Sequence, residues 1–289
     1  MIFYIAGGFF VKGLLKWTLQ LIVAFVGILL LSGMPILITG LQQGEFWWKE
    51  YGEHLLVLFP FSDFLNQYYG PHIREYIGYS LEILFLALFM AIVLALLFTV
   101  ITMLCKERTR QQIKTVFFFL ESLPDILVIL LIQLTVIIIH KNTGIFVSKI
   151  AVTGDEKIYM LPIFCLMILP MVQLYRLSML TFEAEERKMY VELARSLGFR
   201  KLIILLIHIY RNAIISIFFQ SKKTMWFMLS NLFILERMFN MPGIMFHLSG
   251  NMSGEIFLIA ICSFFFPVFI VYSFGEWYFL RRLDRGGVF

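Results

Sequence analysis

Charge is what this chain has least of. Asp, Glu, Lys and Arg make up 15% of its 289 residues, against about 25% in a soluble domain, which excludes a water-facing globular fold. Cysteine is also scarce. Cys105, Cys165 and Cys262 form no CxxC pair, so neither a disulfide framework nor a cysteine zinc site is expected. The histidines His54, His72, His140, His208 and His247 lack the i,i+4 spacing of a helical metal site and read as interfacial side chains facing water. No GxxxxGK[ST] phosphate loop, HExxH or GxSxG is found. The chain is therefore expected not to be an enzyme, and to bind no metal, cofactor or nucleotide of its own.

Apolar side chains fill that space. They make up 60% of the chain, with 32 phenylalanines. Crossing the hydrocarbon core takes roughly 20 apolar residues, and six runs are long enough: 14–38, 79–104, 116–139, 158–180, 212–235 and 256–280. Pro124, Pro162 and Pro170 fall in the third and fourth runs, which membrane helices tolerate when neighbours satisfy the freed backbone groups. The expected fold is an all-α polytopic membrane protein with six transmembrane helices. The first apolar run is not followed by a small-residue cleavage site, so it is expected to stay as a span.

The net charge of +5 has its meaning in position and is no nucleic-acid footprint. Lys and Arg gather at Lys12 and Lys16, in 105–114, in 181–211 and at Arg281, Arg282 and Arg285. All four segments fall on one side of a six-span chain, which predicts cytoplasmic N and C termini. The opposite loops, 40–78, 140–157 and 237–255, are poorer in both. Loop 40–78 holds Phe46, Trp47, Trp48, Tyr51, Tyr68 and Tyr69. Two readings stand for it, an aromatic belt with an amphipathic helix or a docking surface for an external partner. Residues 1–78 thus carry one span and an external loop, and 79–289 form the membrane core.

The stretch "YVELARSLGFRKLIILLIHIYRNAI" (190–214) is unusually charged. A short helix with a small apolar face is expected to end at Gly198, which suits the left-handed position after a last turn. A second helix follows almost at once. Such a bend suits insertion into a groove of another protein; a plain helical loop is the alternative.

Here the sequence resembles a known family. Glu192-Leu193-Ala194-x-x-x-Gly198 is similar to the EAA loop (Glu-Ala-Ala-x-x-x-Gly) of ABC importer permeases, most closely the B-type subunit of dipeptide/oligopeptide transporters. "HIYRNAI", "LPIFCLMILPMVQLYRLSML", "ESLPDILVILL" and "ILERMFNMPGI" are similar to further stretches of that branch, in order, over roughly residues 80–285.

The resemblance implies a type I ABC importer permease-like fold with a coupling loop at about 183–211. It also implies a prokaryotic plasma (inner) membrane and transport of peptides or a related small solute. Its implied partners are a second homologous permease subunit, two ABC ATPase subunits that bind ATP and Mg, an extracellular substrate-binding protein and the bilayer. Tyr190, Ala194, Leu197 and Gly198 would supply shape to the ATPase contact; Glu192, Arg195 and Arg200 would supply polar contacts. Glu236, Pro242 and Gly243 would lie at the outer end, for capping, gating or contact with the binding protein. A non-conducting scaffold or regulatory subunit is the alternative from another class.

The chain departs from the pattern at Leu193, which replaces an alanine, and at Lys222 and Lys223, where the branch is apolar. A charge at the centre of a membrane helix costs about 2.5–3.5 kcal/mol on insertion scales. Glu121 and Asp125 in the third run sit at a similar expected depth. Pairing of one of them with Lys222 or Lys223 is one expectation; separate lysines reaching water are the other.

Overall fold

A computed structural model describes residues 18–34, 52–53, 70–145, 148–152, 156–250 and 254–285. Most of loop 40–78 and the ends of the first apolar run lie outside these residues. No strand occurs among the described residues. The helices are α1 (Thr18–Ser32), α2 (Pro71–Leu104), α3 (Glu107–Glu121), α4 (Asp125–Thr143), α5 (Met160–Glu186) and α6 (Met189–Ser196). They continue as α7 (Lys201–Met238), α8 (Ile244–Gly250) and α9 (Gly254–Arg285). Five of them, α2, α4, α5, α7 and α9, are long and apolar enough to cross a membrane, while α1 is apolar but shorter. This is a multi-pass, membrane-embedded helical protein.

The chain forms two compact units, Met1–Gly78 with Ile244–Leu280, and Tyr79–Gly243 with Arg281–Phe289. In the first, Phe25 of α1 meets Phe266 of α9 with ring centroids 6.4 Å apart, and Tyr76 meets His247 at 5.4 Å.

The second unit is built around α5, which packs against α3, α4 and α7. One face of α2 shows how its helices approach one another. In α2, Ala87, Ala91 and Ala95 are buried at four-residue spacing, whereas Leu86, Phe89, Met90, Val93 and Leu97 are exposed. Small faces let backbones approach closely, which is how helices associate where the surroundings are themselves apolar.

The third expected span is corrected. Residues 116–121 belong to α3, the chain turns at Ser122–Pro124, and α4 starts at Asp125. A proline disfavours helical backbone in the residue before it, and Pro124 is itself extended, at φ −64° and ψ 140°. Pro124 thus opens α4 rather than kinking a longer helix. Pro162 sits in the first turn of α5, where no N–H is needed; Pro170 lies in its interior.

The fifth expected span begins earlier than hydropathy suggests. α7 runs 38 residues, about 57 Å at ~1.5 Å per residue. It contains a π-helical stretch, Ile204–Ile209. There the Tyr210 N–H donates to the Leu205 carbonyl, five residues back instead of four.

Candidate functional site

Two helix ends carry the residues singled out above, one at each end of the second unit. Both close with the same device.

The first is α6. Gly198 stands at φ +80°. The Gly198 N–H donates to the Arg195 carbonyl (3.0 Å) and the Phe199 N–H to the Ala194 carbonyl (3.2 Å). This 5→2 and 6→1 pair is a Schellman cap, which needs a left-handed residue where glycine stands. The helix ends at Gly198 as expected, and the chain re-enters helix at Lys201.

Which side of α6 faces out is a correction. Ala194 is 3% exposed and Val191 fully buried, so Ala194 is no surface knob. Tyr190 is half-buried. Its hydroxyl donates to Glu185 Oε2 and accepts from Asn212 Nδ2 at 3.1 Å. Burial, then the Glu185 carboxylate, push the Tyr190 hydroxyl up to about 12, so it stays a donor at any neutral pH. Tyr190 and Ala194 fasten α6 to its own chain. The outward side chains are Met189, Leu193 and Leu197, at 87%, 61% and 67% exposure. Leu193 thus enlarges an outward apolar face. Glu192 and Arg200 are exposed and make no ion pair among the described residues.

Three carboxylates at the end of α5, Glu183, Glu185 and Glu186, hold this arrangement. Glu183 accepts from Lys114 of α3 at 2.9 and 3.1 Å. Glu185 takes Tyr190 and Lys188. Glu186 accepts from Arg195 of α6 at 2.7 Å and from Arg110 of α3 at 3.3 Å. Arg110 is 7% exposed and also donates to the Met103 carbonyl at 3.2 Å, satisfying an open acceptor in the last turn of α2. Arg195 is thus engaged within the chain while remaining half exposed. A cleft of about 380 Å³ opens beside it, lined by Glu186, Arg195, Phe199, Lys201, Ile204, Leu205 and Ile209.

Tyr190→Phe should loosen this end. It removes the hydrogen bond to a carboxylate, typically about 1.5–3 kcal/mol, and the acceptor of Asn212. Hydrogen exchange should quicken across 189–196 and stay unchanged in α5.

The second helix end is that of α7. Asn240 takes the left-handed position (φ +52°). The Asn240 N–H donates to the Arg237 carbonyl (3.4 Å) and the Met241 N–H to the Glu236 carbonyl (2.9 Å), again the Schellman pattern, with asparagine in place of glycine. The Asn240 side chain donates to the Val152 carbonyl at 3.0 Å, and the Val152 N–H to the Phe239 carbonyl at 2.9 Å. Glu236 was expected as an interfacial cap. It is instead fully buried and accepts from Ser80 Oγ of α2 at 2.5 Å. Gly243, next to the half-buried Pro242, closes over it. A Cβ on Gly243 would come within 2.2 Å of the Glu236 carboxylate.

The intramembrane charges do not pair as expected. Glu121 meets Arg176 of α5 at 3.0 Å. Asp125 lies beside Asn231 of α7. Lys222 and Lys223 are exposed and neither joins an ion pair among the described residues. Helical register decides this: both carboxylates have closer partners on the faces they present. The clue in the sequence was Arg176, a third cation in an apolar run.

No protein-family model matches the chain, and no curated protein matches it. No cluster of three or more metal-ligating side chains occurs among the described residues.

Proposed function

We propose that this chain is a membrane-embedded half of an ATP-driven importer, coupled through α6 to ATPase subunits that bind ATP and Mg. The observation that carries this reading is the geometry of α6. A short capped helix displays Met189, Leu193 and Leu197 outward, while Tyr190, Arg195 and the α5 carboxylates tie its other side down. An exposed apolar ridge on a braced helix suits docking into a groove, and bracing transmits a push to α3, α5 and α7. The EAA-like spacing from Glu192 to Gly198 supports the same reading.

In this reading six helices cross the plasma membrane with both termini cytoplasmic, in a type I importer arrangement. A second, similar permease completes the pathway, and an external binding protein delivers peptides or a related small solute.

Leu193→Asp and Leu197→Asp test it. Both sites are more than half exposed, so the chain should fold and reach the membrane normally. Loss of a buried anchor at an interface costs about 2 kcal/mol or more, so recovery of ATPase subunits on affinity purification should fall at least about tenfold. Unchanged recovery in both variants would overturn the coupling role. Intact ATPase recovery without solute uptake in reconstituted vesicles would assign the chain to a scaffold instead.

A further inference from the structure

Lys222 and Lys223 stand where a lipid-facing helix would not keep them. Their height follows from the packing. Tyr190 bonds both Glu185 at the end of α5 and Asn212 in the first third of α7, while Thr224 farther along α7 meets Gln173 earlier in α5, so these helices run antiparallel. Thr224 Oγ1 donates to Gln173 Oε1 at 3.2 Å, which sets Thr224 level with the middle of α5. Lys222 and Lys223 therefore lie within a turn of Arg176. From there to the charged end of α5 at Glu183 is about 12 Å at ~1.5 Å per residue, farther than a lysine side chain extends when it snorkels.

At this level the charges do not balance. Arg176 and Glu121 compensate one another, and Asp125, beside Asn231, sits about 12–14 Å farther along α7 at ~1.5 Å per residue. Two positive charges remain, both on exposed side chains. Charged groups at such depth face a water-filled cavity or a partner, not lipid. Phe219 and Trp226 are exposed one turn to either side, so the same stripe also offers apolar and aromatic surface.

We propose that Lys222 and Lys223 form an anion-attracting station in a water-filled path, suited to solutes that carry negative charge, such as a carboxylate, beside apolar groups. The inference rests on the reading of the chain as half of a translocation pathway.

Substituted cysteines test it in membranes holding the intact complex, with Cys105, Cys165 and Cys262 replaced by serine. Lys222→Cys and Lys223→Cys are each reacted with an anionic sulfonate-bearing and a cationic ammonium-bearing methanethiosulfonate. Rates are normalised to the denatured chain. The remaining lysine attracts one reagent and repels the other, so the anionic reagent should react about tenfold faster. Replacing that lysine with glutamine should abolish the preference, and arginine should restore it, which a misfolded chain would not do.

No reaction before denaturation would place the stripe against lipid or a partner, and equal rates would mean a partner's acid neutralises it; either overturns the proposal. Loss of the α6–ATPase interaction reads on a different surface. Equal rates, with ATPase recovery still lost on Leu193→Asp and Leu197→Asp, would sink this station alone, and recovery unchanged by those variants with an intact rate preference would sink the coupling reading alone.

Discussion

Gly243→Ala is expected to destabilise the protein more than any other single-methyl addition described. The added carbon would fall 2.2 Å from both Cδ and Oε2 of Glu236 and 2.4 Å from Oε1. The carboxylate cannot retreat easily, because it is fully buried and accepts from Ser80. Nor can the glycine, whose N–H is held by the Met241 carbonyl at 2.8 Å. Overpacking costs about 1–3 kcal/mol, and loss of a hydrogen bond to a carboxylate adds about 1.5–3 kcal/mol. The thermal midpoint in detergent should drop accordingly. Glu236→Ala in the same chain vacates the space, so the double variant should be less destabilised than the sum of the two singles, as contacting residues require. Simple additivity would show that the carboxylate and the glycine do not compete for one volume.

The second large effect is at the other end of the unit. Glu186→Ala removes the acceptor shared by Arg110 and Arg195. Arg110 is then left nearly buried, with its Nε already unpartnered. Breaking a buried pair by deleting one member costs about 3–5 kcal/mol. The lower figure applies here, because Glu107 remains 3.6 Å from Arg110. Replacing both members with apolar residues is often neutral, so Arg110→Leu with Glu186→Leu should recover most of the thermal stability. It should not recover the tie between Glu186 and Arg195. Hydrogen exchange in α6 should stay fast and ATPase recovery low. Restoration of both together would show that Glu186 acts only through stability, without positioning α6.

Particular residues show how much of this could be read in advance. The apolar runs announced helices because a membrane imposes composition over a long window, and five met the length. The third run misled because hydropathy is blind to the pre-proline restriction at Leu123, which splits it into α3 and α4. Gly198 was legible, since a left-handed cap needs a glycine-like residue. The orientation of α6 was not. That helix offers two apolar stripes, Val191 with Ala194 and Met189 with Leu193 and Leu197. The grip of Glu185 and Asn212 on Tyr190, with that of Glu186 on Arg195, fixes which turns inward. Glu236 looked interfacial because it ends an apolar run, and burial arises from Ser80 and Gly243, one of them far away in sequence. The ties of the α5 carboxylates were not legible, because their partners Arg110 and Lys114 lie on a different helix.

The π-helical stretch at Ile204–Ile209 sets the phase of everything beyond it. An α-helix advances about 100° per residue, and a π turn takes up one residue more. Side chains above Ile209 are therefore rotated out of step with those below Ile204, although the rod is unbroken. Deleting one of these six residues would straighten the ladder into plain α-helix and leave Lys222, Asn231 and Glu236 close to their present faces, whereas deleting a residue between 210 and 221 would swing all three round the axis by about 100°. Substitutions there leave the phase alone. In α7 the stretch from 204 to 209 thus absorbs one extra residue, so a face at the α6 end and a face beside α5 are set separately on one continuous helix.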